Sequence, residues 1–400
     1  MNTNQWTRGL ITAGVISLGA VAQAEETAIS GYVSTTASWA PNVMQPAGAS
    51  FMPTTDGFDL DNVAIRISKP LDEGEWAAGY AVELWVGPQA SNLGNNITST
   101  GTVISDPDGS LTTDDGTAGT ITGDESLAAA AISGNNFAIK QANVKLNAPI
   151  GNGLVLTMGV FDTIIGYEAA NIGDNPNVTR SYGFTTEPFQ HLGLLASYQI
   201  CESAALSVGV ADANNTVLNP GNRGGNTSAK TFMAAVSLTA PDSLGPLGGA
   251  SITAGVVDGR AGGAVGGSDT TQIYVGGDIP TPIENLSLGV AWDHVNIDGA
   301  TDTDSIATYI GYKVSDKLGL NTRLDYTDQG GSAGFAGVEG GEYLGTTVTA
   351  DYSLWANVVT RAEWRWDKDL DGDRFNGPGV QNRPGRNNNH LFLLNVIYNF

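Results

Sequence analysis

The chain has 400 residues, of which 41% are hydrophobic and only 15% charged, with 53 glycines and a formal net charge of −23. A chain this acidic repels nucleic acid, and one this apolar is not disordered by composition, so both classes are set aside. The charge fits acidic loops that keep an outer surface solvated. The alternative is a preference for cations, or for divalent ions bridging to anionic lipid.

Residues 1–24 read as a secretory signal peptide. Arg8 gives the basic start, Gly9 to Val21 an apolar stretch too short to span a bilayer, and Ala22-Gln23-Ala24 a small-residue cleavage site before Glu25-Glu26. There is no lipobox cysteine. The single Cys201 excludes an internal disulfide and any Cys-built metal site, and His191, His294 and His390 are scattered. Residues 25–400 then form one unit. No later apolar run reaches the length of a membrane helix, so a membrane form of this chain has to be a closed barrel.

Period-2 alternation recurs through that unit and predicts an all-β, antiparallel transmembrane barrel of about 16 strands, with 14 to 18 compatible. The strands fall near 29–39, 58–69, 75–86, 137–148, 153–162, 188–199, 203–213, 229–239, 249–258, 269–278, 285–297, 304–314, 317–327, 342–352, 355–367 and 389–400. The pattern is plainest in Leu318 to Thr327. There Leu318, Leu320, Thr322, Leu324 and Tyr326 suit lipid, while Asn321, Arg323, Asp325 and Thr327 suit a wet lumen. Connections alternate in length. The long ones are 40–57, 87–136, 163–187, 214–228, 259–268, 298–303, 328–341 and 368–388. The short ones include Pro70–Gly74, Pro149–Asn152, Ile200–Glu202, Ser315–Asp316 and Ser353–Leu354. Short periplasmic turns and long outer loops are the barrel habit. Within 89–135, rich in Gly, Ser, Thr, Asn and Asp, a long outer loop is expected, with a short helical turn at Ala128 to Ala131.

Aromatics gather at strand ends, as interfacial girdles require. Trp39, Trp292, Tyr326, Trp364 and Trp366 are placed at the outer rim, and Tyr198, Tyr312, Tyr352 and Tyr398 at the inner one. The chain ends in a full alternating strand with Phe392, Leu394, Val396, Tyr398 and Phe400 on one face. A terminal Phe with Tyr398 two residues earlier has the form of a signal read by barrel-assembly machinery.

Several segments together resemble the type-2 β-barrel porins, the OmpL-like family. They are Phe58-Asp59-Leu60-Asp61 leading into Val63-Ala64-Ile65, Lys69-Pro70-Leu71, Gly79-Tyr80-Ala81-Val82-Glu83-Leu84, Gly166-Tyr167-Glu168, Thr179-Arg180-Ser181-Tyr182 and Ile397-Tyr398-Asn399-Phe400. The resemblance covers most of residues 25–400, with 89–135 as an insertion. It implies an outer-membrane channel and hands over no binding residues. By analogy with general porins, the loop 163–187 is a candidate constriction bearing Tyr167, Glu168, Asp174, Arg180 and Tyr182. Inward parity on the strands adds Arg66, Glu83, Lys145, Arg323, Asp325, Arg361, Glu363 and Arg365. Opposed basic and acidic walls would orient hydrated solutes; the plainer reading is that these charges pair with one another.

Asp367, Asp369, Asp371 and Asp373 follow the alternation of a Ca²⁺ loop, but Pro378 stands where the bidentate Glu belongs. A solvated acidic loop is the expected reading, Ca²⁺ the alternative, and no other cofactor is expected. No G-x-S-x-G, phosphate-binding loop or H-E-x-x-H is present, so no enzyme is expected. The function expected is a porin passing ions and small hydrophilic solutes. Its surroundings would be outer-membrane lipid and lipopolysaccharide, with a homotrimer as an open assembly. The competing readings are a substrate-selective channel, a structural or adhesive surface barrel with partner-binding loops, and a barrel hydrolase.

Overall fold

The structure is a computed structural model. It describes residues 27–40, 57–72, 74–93, 136–215, 230–260, 268–330, 340–372, 375 and 386–400, plus the backbone of three two-residue strand pieces within 104–119. Sixteen strands form the wall. They are β1 (Ala28–Trp39), β2 (Gly57–Lys69), β3 (Ala77–Val86), β4 (Phe137–Ala148), β5 (Leu154–Asp162), β6 (Gln190–Cys201), β7 (Ala204–Ala211) and β8 (Thr231–Thr239). The wall continues through β9 (Ser251–Arg260), β10 (Asp269–Ile279), β11 (Leu286–Ile297), β12 (Thr301–Lys313), β13 (Leu318–Gly330), β14 (Gly341–Trp355), β15 (Val358–Asp369) and β16 (Asn388–Asn399). Each pairs antiparallel with its neighbours in sequence, and β16 returns to β1, from Tyr32 opposite Asn399 to Trp39 opposite Phe392. Closure leaves no edge, so every wall strand has its backbone partners inside the sheet, as lipid demands. No helix among the described residues is long and apolar enough to cross a membrane.

The alternation read from the sequence sets the two faces. Leu320 and Leu324 on β13, Ile306 on β12 and Leu394 and Val396 on β16 point outward, while Arg323, Asp325, Glu363 and Arg365 are buried inside. Exposed Trp39 stands at the long-loop rim and stacks on Phe392, with ring centroids 5.4 Å apart. At the short-turn rim, exposed Trp76 and Trp355 extend the predicted aromatic set.

Two irregularities alter the reading by parity. On β2, Ser34 and Thr35 of β1 face Asn62 and Leu60, so Asp61 is the extra residue of a β-bulge. Its carboxylate accepts from Ser34 Oγ (2.6 Å), Thr36 Oγ1 (2.7 Å) and Asn395 Nδ2 (3.1 Å), tying the first two strands to the last. On β4, Glu83 and Leu84 face Gln141 and Ile139, which makes Lys140 the extra residue.

Three connections differ from expectation. The turn predicted at Ser353–Leu354 is Ala356–Asn357, because a bulge at Ser353/Trp355 carries β14 further. The loop predicted at 298–303 shrinks to residues 298–300, since Thr301 to Thr303 pair with β11. On the opposite rim the connection at 240–250 contains a 3₁₀ turn, Asp242–Leu247, so loop length does not segregate perfectly by side. The signal peptide, the Ala128–Ala131 turn and Asp373 lie outside the described residues.

Candidate functional site

Between β5 and β6 the chain turns into the barrel and crosses its interior. Gly166 opens this loop at φ 109°, a conformation that favours glycine, and the Glu187 carboxylate occupies the space a Cβ would need. Residues Ile172–Asp174 form a 3₁₀ turn, and Tyr182–Thr186 form one short helix, α1. Ser181 caps α1 by accepting from the Phe184 N–H, and the Ser181 N–H and hydroxyl both donate to Glu168 at 2.7 Å. Arg180 holds the loop in its shape by donating to the carbonyls of Ala169, Val178 and Ala170, at 3.0, 2.7 and 3.0 Å.

The loop is fastened to the wall most heavily at β13 and β15. From β13, Arg323 donates to Glu168 Oε1 (2.9 Å), to the Thr179 carbonyl (2.6 Å) and to the Arg180 carbonyl (2.9 Å), and it also pairs with Asp325 on its own strand. From β15, Glu363 accepts from the N–H groups of Val178 (2.5 Å) and Thr179 (2.8 Å). Arg361 donates to the Ile172 carbonyl (2.8 Å), and Arg365 to that of Arg180 (2.5 Å). The Tyr182 hydroxyl donates to Asp367 at 2.8 Å. Further round, Gln272 of β10 donates to the Thr186 carbonyl, and Tyr167 stacks on Tyr309 of β12. Loop carbonyls and N–H groups that water would otherwise satisfy are thus met by charged wall residues, the strong class of hydrogen bond.

At the end of this loop, burial and then the Asp293 carboxylate facing it push the Glu187 carboxyl well above the usual carboxylate range. Burial and the Asp367 carboxylate likewise raise the Tyr182 phenol, which therefore stays a donor.

A cavity of about 250 Å³ lies between the loop and the wall, bordered by Arg66, Glu83, Lys140, Asp162, Asp174 and Phe189, among others. Arg66 of β2 spans Glu83 of β3 and Asp174 of the loop, at 3.0 Å each. Glu83 also accepts from Trp85 Nε1 at 2.7 Å. Lys140 pairs with Asp162, which also accepts from Gln141.

Of the residues named from sequence, Arg66, Glu83, Glu168 and Asp174 border this cavity. Arg180, Arg323, Asp325, Arg361, Glu363 and Arg365 are buried, bound to the loop or to wall residues beside it. Lys145 is half-buried on β4 and does not border the cavity. Parity missed Lys140 because the bulge inserts it; Asp162 was legible only as the last residue of a strand.

The acidic run gathers no cation cage among the described residues: Asp367 is bound to Arg365 and Tyr182, and Asp371 accepts from the Glu342 N–H. Elsewhere, His294, Asp302 and Asp304 approach one another at the long-loop rim. There Asp304 already pairs with His294 and accepts from Trp292 Nε1.

The family model described as "Putative beta-barrel porin-2, OmpL-like" matches residues 26–400. No curated protein matches the sequence. Solved structures similar to it include an anion-selective porin from Comamonas acidovorans, with 13% identity, TM-score 0.57 and coverage of 94% of this chain and 99% of that one. Another is the outer membrane channel DcaP of Acinetobacter baumannii, with 12% identity, TM-score 0.55 and coverage of 94% and 97%. A third is OmpT of Vibrio cholerae in a trimer form, with 14% identity, TM-score 0.53 and coverage of 94% and 99%. At these identities the likeness is one of fold.

Proposed function

We propose a function from one premise: the chain belongs to the OmpL-like β-barrel porin-2 family. It is an outer-membrane porin through which ions and small hydrophilic solutes diffuse. The observation that carries this reading is the loop 163–189, fixed by Arg323, Glu363 and Arg365 to β13 and β15, with a polar cavity left against β2 to β5. A loop fastened across a barrel narrows it, and the charged borders of the cavity beside it keep that space wet. Export through the signal peptide at 1–24 and delivery by assembly machinery reading Tyr398 and Phe400 belong to the same proposal. So does a homotrimer, for which the trimer form of OmpT is the supporting likeness.

The test is liposome swelling with neutral sugars of graded size, using the refolded chain from Glu25 onward. Rapid entry of the smallest sugar, falling steeply with size, is expected. No entry of the smallest sugar into liposomes carrying verified folded barrels would overturn the reading.

A further inference from the structure

We infer that the narrowed passage favours small cations over anions, with Asp162 and Asp174 setting that preference; this rests on the porin reading above. Inward parity counts the arginines of β13 and β15 among the lumen charges, with pairing between charges as the plainer reading. The loop covers them. Arg323 and Arg365 are 0% exposed, and their guanidinium groups are bound to loop carbonyls and wall carboxylates. A solute in the cavity between the loop and β2 to β5 does not meet them.

What it meets is the border of the cavity. Among the described residues two cations stand there, and each is held by carboxylates: Arg66 by Glu83 and Asp174, Lys140 by Asp162. Exposure decides which charges face the solute. The Lys140 side chain is 2% exposed, whereas those of Asp162 and Asp174 are 35% and 37% exposed. Arg66, at 31%, is the accessible cation of the border among the described residues, and it is shared between two acids. The accessible charge at the narrowing is therefore acidic. Field lines between low-dielectric walls concentrate such an excess, and the net charge of the whole chain, −23, has the same sign.

The experiment is the zero-current potential of the refolded chain in a planar bilayer under a KCl gradient, for wild type, the double variant D162N/D174N, and K140Q. The inference predicts a wild-type potential of cation-selective sign. It predicts a shift toward anion selectivity in D162N/D174N, where Arg66 and Lys140 keep their charge. K140Q should shift it the other way, since Asp162 then loses its cation and keeps only the neutral Gln141 amide. A purely structural role for these residues would not move the potential in opposite directions. Anion selectivity in the wild type, or a potential unmoved by D162N/D174N, overturns the inference and leaves the porin reading standing. Absence of any conductance from verified folded barrels overturns the porin reading itself.

Discussion

The Arg323 guanidinium lies 2.9 Å from the Glu168 carboxylate, joining a wall strand to the loop that crosses the barrel, and both side chains are almost completely buried. The same guanidinium also holds Asp325 and two loop carbonyls, so this side chain fixes the loop to the wall beside Glu363, Arg361 and Arg365. Replacing Arg323 by Met would leave Glu168 and Asp325 buried without their common cation. Breaking one side of a buried ion pair costs about 3–5 kcal/mol. R323M should unfold at lower temperature in detergent, and its open channel should be noisier as the loop detaches. An unchanged midpoint and a quiet channel would show that the loop does not depend on this anchor.

Glu187 gives the loop a pH dependence. Its carboxyl is raised in the folded chain, by burial and by Asp293, above the ordinary value of 4.5. The folded state therefore holds this proton more tightly than the unfolded one. The associated stability is complete below about pH 4.5 and is lost as the pH rises through the raised value. Thermal midpoints across that range should fall more steeply for wild type than for E187Q, which carries no titrating group there. Parallel curves would remove Glu187 from the account.

Closure of the barrel depends on Gly31. Its N–H and carbonyl exchange hydrogen bonds with Phe400 at 3.0 Å each, and a Cβ there would sit 2.1 Å from the Ala64 carbonyl oxygen. G31V should lower the folded fraction in outer-membrane extracts, read as heat-modifiable electrophoretic mobility. F400A should lower it too, through lost assembly, while protein refolded in detergent recovers. Wild-type yields from both variants would contradict the closing role given to this end of the chain.

The single thiol reports orientation. Cys201 is exposed at the β6–β7 turn, on the short-turn rim. On intact cells, a maleimide carried on a polymer too large for the pore should leave Cys201 unlabelled. It should label a C201S/A300C variant, whose thiol sits on the connection between β11 and β12. The opposite pattern would invert the barrel in the membrane.

The wall was legible because its physics is local. Leu318 to Thr327 announces both faces of β13 by alternation, and Arg323 is correctly turned inward. Arg323's loop partner was not legible, because Glu168 lies 155 positions away in sequence. Parity turns Arg323, Arg361 and Arg365 inward and makes pairing with neighbouring carboxylates the plainer reading, as with Asp325, Asp351 and Asp367, but it cannot show that each also binds a loop whose path no periodicity encodes. Bulges cost the rest. Lys140 and Lys145 have opposite parity yet both face inward, since the extra residue on β4 resets the alternation. At β14, Trp355 pairs beyond the bulge and moves the turn to Ala356–Asn357.

The most direct test of the central claim is single-channel recording of the refolded wild-type chain in a planar bilayer. A barrel narrowed by its own loop predicts small, discrete and long-lived current steps. Silence from protein verified as folded would contradict it, and would mean that the loop closes the barrel instead of narrowing it.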